Sequence, residues 1–531
     1  LSQVGFAPGN YQLYVDAVAK PCIRDHLSLP ASYSLSASPA VTQQPANATV
    51  SYGGIATFSV SATGMSPLSY TWYDLSHNEV GTNSLLVITN ATQSNSYYVT
   101  ISNQYGSISS ASAVLTVLGA PVVLANPSNY NRMQITFSGY TNGVSLTNFP
   151  VLVRLSTNIP GFSYAGFVWP SNGADLRFTS AKGMELPFEI DQWNPAGESQ
   201  IWVQVPLLAS TNDSITAYWG NAADSAMQPC NTNGAVWSTL SGSNNFLLVY
   251  HLSQSGFPFA DSTLQYPATS GVPPALTDGV VGRGCAFNGS SQFFDAGLVN
   301  IGKNFSLSAW VNIAPAALSE QTIWCNKQGG WNTAGFDFYV NSWQTNDGKI
   351  YFDTADGSGG NVAARTAAHA VSFGQWHLLT GTMDGVNGSV HVYVDGVDQT
   401  INTGVDTAFQ VTNYVRCGAL LTGTPGMTGT LPFNGLMDEV RIESGVRSPA
   451  WVRASWATVA NGAFATYGPI VPPAVTLNYR ANNGQLVLTW TTGTLQSAPS
   501  VTGPYTDMTG AFSPYAVVPS SAQRYFRVRV Q

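Results

Sequence analysis

The stretch GQWHLLTGTMDGVNGSVHVYVDGV, residues 374–397, decides the fold of this chain. Apolar and polar residues alternate in two short runs, and Asp-Gly and Asn-Gly pairs punctuate them. This pattern is typical of half-buried β-strands joined by tight turns. The same alternation recurs in TFSVSA, YYVTIS, QITFSG, SLSAWVN and RYFRVRV. We therefore predict an all-β fold of tandem β-sandwiches.

A single segment favours a helix. In SPAWVRASWA, residues 448–457, Ser448 is suited to the N-cap and Pro449 to the first helical position. We predict one short helix that starts there.

The composition limits the classes of function. The chain has 531 residues, 44% of them hydrophobic, which is enough for several cores. Only 9% are charged and the net charge is −8 without a basic run, which argues against nucleic acid and anionic membranes as partners. The longest apolar tract, residues 111–125, is too short and too interrupted to span a bilayer, so we predict no membrane insertion. Because the chain begins with Leu1, we expect a processed product or part of a longer protein.

The five cysteines form no CxxC pair, which argues against a zinc ribbon or a redox motif. Cys285, Cys325 and Cys417 leave two alternatives open: one disulfide among them, or burial as small hydrophobic residues.

The N-terminal part divides into two segments. Residues 1–40 contain GNYQLYVDAVA, a strand without an obvious partner, and a linker of small residues. Residues 41–118 resemble an immunoglobulin-like domain of bacterial surface proteins. Trp72 stands at the strand-C tryptophan position, Tyr97 at the tyrosine corner, and Val60 and Val99 at the disulfide positions of antibody domains. The resemblance implies a spacer.

Three further segments follow. Residues 121–245, with ADLRF, LPFEIDQWNP and IWVQVP, resemble a bacterial β-sandwich family of unassigned function that accompanies jelly rolls. Residues 246–468 contain CAFNGSSQFFDAG, FSLSAWVN, GFDFYV and FNGLMDEVRIESGVRS, and resemble a laminin-G/concanavalin-A-like jelly roll. Residues 472–531, after a Pro-rich joint, resemble a small fibronectin-type-III-like module.

The run FEIDQW, residues 188–193, resembles the E-x-D-x-x-E strand of jelly-roll glycanases. Alternation places Glu189 and Asp191 on one face, but Asn194 stands where the third carboxylate is required. We expect the two carboxylates to bond the backbone or Arg177 at a rim. His251 and His377 are interpreted as packing residues, and no nucleophile stands beside a base. The sequence predicts a protein that is not an enzyme.

The jelly-roll resemblance implies a calcium site. Jelly rolls of this type often hold Ca²⁺ between an Asp in the opening loop and an Asp on the last strand, and Asp261 and Asp438 stand at those positions. Backbone carbonyls and water would complete the coordination. The alternative is that Asp438 caps the end of a strand.

A sugar-binding surface is the second candidate site. Trp331 and Trp343 fall in predicted loops, where an indole ring can stack on a pyranose. Asn332, Asn341 and Asp356 are the candidate hydrogen-bonding residues. The alternative is that both tryptophans cover the edge of the sandwich.

Together these features predict a non-catalytic protein, secreted or on the bacterial cell surface, for adhesion or assembly. The jelly roll would bind a polysaccharide or a cell-surface glycan. Two alternatives stay open: a subunit of an extracellular filament or sheath that self-assembles through the N-terminal strand, and the accessory binding region of a larger secreted polysaccharide-degrading enzyme.

Overall fold

The fold is all-β, as predicted. The computed structural model describes residues 10–12, 32–34, 38–51, 54–118, 122–224, 227–237, 246–315, 320–327, 333–358, 362–403, 409, 412–419, 431–482, 484–491, 493–518 and 523–530. The chain forms two compact units, Leu1–Val122 with Ser238–Asn245, and Val123–Trp237 with Phe246–Gln531.

The first unit contains twelve described strands. They are β1 Asn10–Gln12, β2 Ser32–Ser34, β3 Ala40–Gln43, β4 Ala48–Ser51, β5 Gly54–Ser59, β6 Ser61–Thr63, β7 Ser69–Asp74, β8 Glu79–Gly81, β9 Leu85–Ala91, β10 Asn95–Asn103, β11 Gly106–Ser109 and β12 Ala113–Leu118. Trp72 and Val99 are fully buried in its core, and Val60 and Tyr97 lie beside them.

The N-terminal strand has a partner within the chain. β1 pairs antiparallel with β2, so that Tyr11 lies opposite Tyr33. The prediction of an unpaired strand is therefore wrong for residues 10–12. The rest of YQLYVDAVA lies outside the described residues, and self-assembly through it stays a prediction.

The second unit opens with a two-layer sandwich, which we call sandwich A. Its strands are β13 Asn131–Thr136, β14 Leu146–Ser156, β15 Arg177–Ser180, β16 Phe188–Gln192, β17 Glu198–Leu208 and β18 Ser214–Trp219. One layer has the order β14-β17-β16, and the other contains β15-β18-β13.

The jelly roll follows as two eight-stranded sheets. Its strands are β19 Phe246–Tyr250, β20 Ser270–Val272, β21 Ala275–Asp278, β22 Arg283–Asn288, β23 Phe293–Asn300, β24 Asn304–Ile313, β25 Gln321–Cys325, β26 Gly335–Val340, β27 Ile350–Ala355, β28 Val362–Arg365, β29 Trp376–Asp384, β30 Ser389–Val394, β31 Val397–Asp398, β32 Asn402–Thr403, β33 Thr412–Cys417 and β34 Asn434–Ser444. The order β21-β22-β34-β24-β29-β30-β31 forms one sheet, to which β19 adds on β34. The other has the order β20-β23-β33-β25-β26-β27-β28-β32.

The predicted helix is present as α1, Pro449–Ala460, and Ser448 caps it by accepting a hydrogen bond from the backbone N–H of Trp451. It packs on β14 of sandwich A, where the hydroxyl of Thr458 accepts a hydrogen bond from the backbone N–H of Leu152 at 2.9 Å. The strand after it, β35 Thr466–Tyr467, pairs with β13. Residues 449–467, which we assigned to the jelly roll, therefore also pack on sandwich A, while Arg453 of α1 donates a hydrogen bond to the backbone carbonyl of Asp395 in the jelly roll at 3.1 Å. No helix among the described residues is long and apolar enough to cross a membrane.

Sandwich A and the jelly roll share a hydrophobic core. One cluster of buried side chains joins Phe149 and Val203 of sandwich A to Trp310 and Leu378 of the jelly roll and to Trp451 of α1. A second cluster fills the space between the two jelly-roll sheets. Because one apolar cluster runs from one to the other, sandwich A and the jelly roll form a continuous body.

A small C-terminal module has two three-stranded sheets, β36-β37-β40 and β39-β38-β41. The strands are β36 Asn478–Asn482, β37 Gln485–Thr489, β38 Thr494–Ala498, β39 Thr506–Asp507, β40 Tyr515–Val517 and β41 Tyr525–Arg529. Leu488, Trp490, Leu495 and Val517 form its core.

The cysteines of the jelly roll are thiols. Cys285, Cys325 and Cys417 are free and buried, and Cys230 is free and half-buried. Of the two alternatives for these three cysteines, the structure shows burial as small hydrophobic residues rather than a disulfide. Cys22 lies outside the described residues.

Candidate functional site

A cluster of charged side chains lies where sandwich A meets the jelly roll, and we call it the seam cluster. Sandwich A contributes Glu189 and Asp191 from β16, and the jelly roll contributes His251, Glu439 and Arg441. Four of the few charged residues of the chain are thus concentrated around one buried imidazole.

Two irregular strand positions place the carboxylates of the seam cluster. The pairing of β16 with β17 shifts between Ile190 and Gln192, so Asp191 is the extra residue of a bulge. The pairing of β24 with β34 shifts opposite Glu439, whose φ of 50° lies in the left-handed region. Bulges re-aim side chains, and a positive φ at a residue other than glycine is held only by its surroundings.

Glu189 is anchored by donors from both domains. The indole N–H of Trp237 donates to its Oε2, and the hydroxyl of Ser262 donates to its Oε1 at 2.7 Å. Its Oε2 lies 3.7 Å from Nε2 of His251. Glu189 therefore connects sandwich A to the jelly roll rather than lying at a rim.

Glu439 contacts the imidazole of His251 at its other ring nitrogen, Nδ1. Its Oε1 lies 2.7 Å from Nδ1 of His251 and accepts a hydrogen bond from the indole N–H of Trp202 at 3.3 Å. Its Oε2 accepts from Arg441, whose guanidinium lies 4.5 Å from the ring centre of Trp202 and 4.7 Å from that of Trp237. The two tryptophans thus enclose the ion pair.

Burial and mutual contact shift the pKa values of this cluster in opposite directions. Burial raises the pKa of Asp191 to about 7, against a partial opposing effect of His251. Burial alone would raise the pKa of Glu439, but His251 and Arg441 lower it to about 2. Burial alone would lower the pKa of His251, but Glu439 and Asp191 raise it well above its ordinary value. The contacts among these opposite charges thus offset part of the cost of burying them.

Sequence reasoning identified part of this cluster. It singled out Glu189 and Asp191, but Arg177, the partner expected for them, lies 3.5 Å from Asp224. Reading His251 as a packing residue agrees with its ring contacts to Trp202 and Trp237, but it missed the hydrogen bond to Glu439. The available signal was the acidic pair Asp438-Glu439 in a chain with few charges.

The calcium residues have other contacts. Asp261 is buried, and its carboxylate accepts five hydrogen bonds, from the backbone N–H groups of Val249, Thr263, Gln265 and Tyr266 and from the hydroxyl of Thr263. A calcium ion at Asp261 would have to displace some of these donors from the two oxygens. The carboxylate instead fixes the loop after β19.

Asp438 lies inside β34 rather than at a strand end. Its Oδ2 accepts from the backbone N–H of Val281 at 2.8 Å, and its Oδ1 accepts from the backbone N–H of Glu439 at 2.7 Å. Burial, followed by the charge of Glu439, raises its pKa well above the ordinary value. Calcium between Asp261 and Asp438 stays a prediction.

The described part of the sugar-binding surface centres on Trp343. Its side chain is 63% exposed, in a turn between β26 and β27. Ser342 donates to Asp347 through its backbone N–H at 3.0 Å and its hydroxyl at 2.7 Å, and hydrogen bonds from Ser342 lower the pKa of Asp347 to about 2 against the effect of burial. These hydrogen bonds fix the backbone of the turn that presents the indole of Trp343 to solvent.

The other candidate sugar ligands are placed differently. Asn341 is fully buried, and its Oδ1 accepts a hydrogen bond from the backbone N–H of Gly348, so it shapes the turn from inside. Asp356 is exposed and accepts hydrogen bonds from the backbone N–H and the hydroxyl of Ser358. Trp331 and Asn332 lie outside the described residues.

The sheet that carries Trp343 also holds buried charges on the face away from the core. Asp337 of β26 lies opposite Asp353 of β27, and Lys327 lies 2.5 Å from Asp353. Glu320 is near this group, and burial, followed by the charge of Asp353, raises its pKa to about 7. Burial and Asp353 likewise raise the pKa of Asp337 well above its ordinary value.

Two family models match parts of the chain. Residues 288–453 match the concanavalin A-like lectin/glucanases superfamily, and residues 172–244 match a domain of unknown function (DUF2341). The curated proteins compared with the chain include no match.

Several solved structures are similar to segments of the chain. Domain 4 of AbnA, an extracellular GH43 arabinanase from Geobacillus stearothermophilus in complex with arabinotriose, has 22% identity and a TM-score of 0.31, over 39% of this chain and 97% of that one. The CBM40 of the Ruminococcus gnavus IT-sialidase bound to alpha2,3 sialyllactose has 14% identity and a TM-score of 0.27, over 32% and 95%. Chimeric titin Z1Z2 has 22% identity and a TM-score of 0.15, over 16% and 96%.

The family models and the strand arrangement agree on the central part of the chain. The two eight-stranded sheets enclose one core across most of the matched residues 288–453. This all-β chain therefore contains a laminin-G-like jelly roll of the concanavalin A-like type.

Proposed function

We propose that this chain is a non-catalytic extracellular protein that binds a polysaccharide or a cell-surface glycan through its jelly roll, in adhesion or assembly. The match of the jelly roll to a superfamily of lectins and glucanases supports a carbohydrate ligand. The observation that carries the proposal is the exposed indole of Trp343 on a rigid turn of that jelly roll.

The physical argument rests on preorganisation. A sugar ring stacks well on an aromatic face that is exposed and does not have to be ordered on binding. Asp347 and Asn341 fix the backbone on both sides of Trp343 through hydrogen bonds within the turn. The indole can therefore receive a ring at a low entropic cost.

The carboxylates support a binding role over a catalytic one. A glycosidase needs two carboxyl groups on either side of an accessible bond. Glu189 is occupied by Trp237 and Ser262, and Asp261 accepts five hydrogen bonds. These groups stabilise the fold and leave little free capacity for a substrate.

The proposal is tested by retention of the purified chain on insoluble polysaccharides and on a glycan array. We expect Trp343→Ala to weaken binding by about five- to thirtyfold, since an exposed stacking contact contributes on the order of 1–2 kcal/mol. The melting temperature should change little, because the indole is mostly exposed.

The matched control is Trp169→Ala. Trp169 is the other exposed tryptophan among the described residues, at 42%, and it lies in sandwich A. Retention should be unchanged in this variant. Equal retention of the wild type and Trp343→Ala, or hydrolysis of a polysaccharide by the purified chain, would contradict the proposal.

A further inference from the structure

We propose that Asp191 and His251, with Glu439 holding the imidazole in place, bind a divalent first-row transition-metal ion, with zinc as the reference ion, at the seam between sandwich A and the jelly roll. This metal site is separate from the glycan-binding surface and from the predicted calcium pair.

The first observation is the geometry of the three side chains. One ligand atom of each lies within 4.8 Å of the ligand atoms of the other two. They come from β16, from the residue after β19 and from β34, so long-range folding brings them together. Ligand atoms around one tetrahedral zinc ion lie about 3.3 Å apart, so the ligand atoms of Asp191 and His251 would have to approach each other by at most about 1.5 Å.

The second observation is unused bonding capacity inside the cluster. His251 is 6% exposed, and its Nε2 has no hydrogen-bond partner among the described residues. The same holds for Oδ2 of Asp191, which is enclosed although the residue as a whole is half-buried. Buried polar atoms are rarely left without partners, and two such atoms in one cluster point to a shared ligand.

The third observation is the way in which the imidazole is held. Nδ1 of His251 lies 2.7 Å from Glu439, whose other oxygen accepts from Arg441. A carboxylate at one ring nitrogen fixes the tautomer and leaves the other nitrogen available for a metal. Oε2 of Glu189, 3.7 Å from Nε2, supplies a further oxygen beside the site.

The chemistry of these groups selects the class of ion. Imidazole nitrogen with carboxylate oxygen suits zinc and neighbouring transition metals, whereas calcium prefers a shell made of oxygen alone.

The backbone around the candidate ligands is strained, which is consistent with a functional role for this cluster. Glu439 has a φ of 50°, and Leu252, directly after His251, has a φ of 53°. Gly282, with a φ of 55°, brings the neighbouring turn so close that an added Cβ would lie 3.2 Å from Oδ2 of Asp191. Two costly backbone conformations and one close approach of a glycine therefore surround the candidate ligands.

The test uses the full chain, stripped with a chelator and dialysed. Titration with zinc chloride, followed by calorimetry and by metal analysis after desalting, should give about one ion per chain. Binding should raise the melting temperature, because an ion held only by the folded state stabilises that state. It should also release protons, seen as a buffer-dependent heat, because the ligands must be deprotonated.

The variants His251→Gln and Asp191→Asn should each weaken zinc binding by at least about 100-fold. The matched control is His391→Gln, because Nδ1 of His391 also lies 2.8 Å from an aspartate, Asp398, but at an exposed site. This variant should bind zinc like the wild type. Circular dichroism of each apo variant separates loss of binding from loss of folding.

Three results would overturn the proposal. They are no retained zinc in the wild type, equal binding in His251→Gln and His391→Gln, and tighter binding of calcium than of zinc. If Asp191→Asn and His251→Gln fold and melt like the wild type with and without zinc, the seam cluster is an ion network without a metal.

Discussion

Glu320 shows how a single side chain makes the stability of the jelly roll depend on pH. Its carboxyl group is half-buried near Asp353, and these surroundings raise its pKa to about 7. In the unfolded chain the group loses its proton near pH 4.5. The folded state thus binds a proton that the unfolded state has already lost, so the contribution to stability is complete below about pH 4.5 and disappears as the pH rises through about 7.

We expect the melting temperature of the wild type to fall between about pH 5 and pH 8 and that of Glu320→Gln to fall less. Calorimetry across this pH range measures both slopes. The raised pKa of Asp337 maintains part of the slope in the variant. Asp278→Asn, a change of a side chain that is 90% exposed, serves as the control and should follow the wild type. Parallel curves for the wild type and Glu320→Gln would show that Glu320 ionises normally.

At the scale of elements, α1 shows which features of a helix can be predicted from its own sequence and which cannot. The N-cap Ser448 and Pro449 predict its start correctly, because capping is a local property. The surface that it covers was not predictable, because its contacts join residues far apart in the chain, as with Leu152 and Thr458. The same is true of the candidate site. The sequence FEIDQW shows the acidic pair, but two bulges and contacts between residues far apart in the chain bring that pair next to His251.

We expect Trp451→Ala to lower the free energy of unfolding of the second unit by about 3–5 kcal/mol. The indole is 6% exposed, its ring centre lies 4.9 Å from that of Phe149, and the guanidinium of Arg447 lies 3.7 Å from its ring centre. Urea denaturation followed by circular dichroism measures the loss. The control is Trp456→Ala on the same helix, where the side chain is half-buried and the loss should be smaller. Equal losses would mean that α1 does not anchor the shared core.

At the scale of the molecule, the shared core makes sandwich A and the jelly roll a single cooperative body. Phe178 of sandwich A and Trp310 of the jelly roll belong to the same buried cluster. Separate domains normally meet through a polar boundary and open independently. Here the loss of packing in one part should lower the free energy of opening of the other.

We expect Phe178→Ala, at a position that is 1% exposed, to cost about 3–5 kcal/mol and to speed hydrogen exchange in β24 as well as in β17. Exchange followed by mass spectrometry reads both strands in one experiment. Val99→Ala, in the core of the other compact unit, is the control and should leave β24 unchanged. Faster exchange confined to sandwich A would contradict a common opening.

The return of residues 449–467 to β13 and β14 also has a consequence for biosynthesis. A ribosome delivers the strands of sandwich A first and the helix that covers them only after the whole jelly roll. During that interval the apolar side of β14 has no cover, and β13 lacks the neighbour that it later finds in β35. The nascent chain is therefore exposed to aggregation until translation passes the helix, and a message truncated before the codon for Pro449 would yield an intermediate that chaperones must hold.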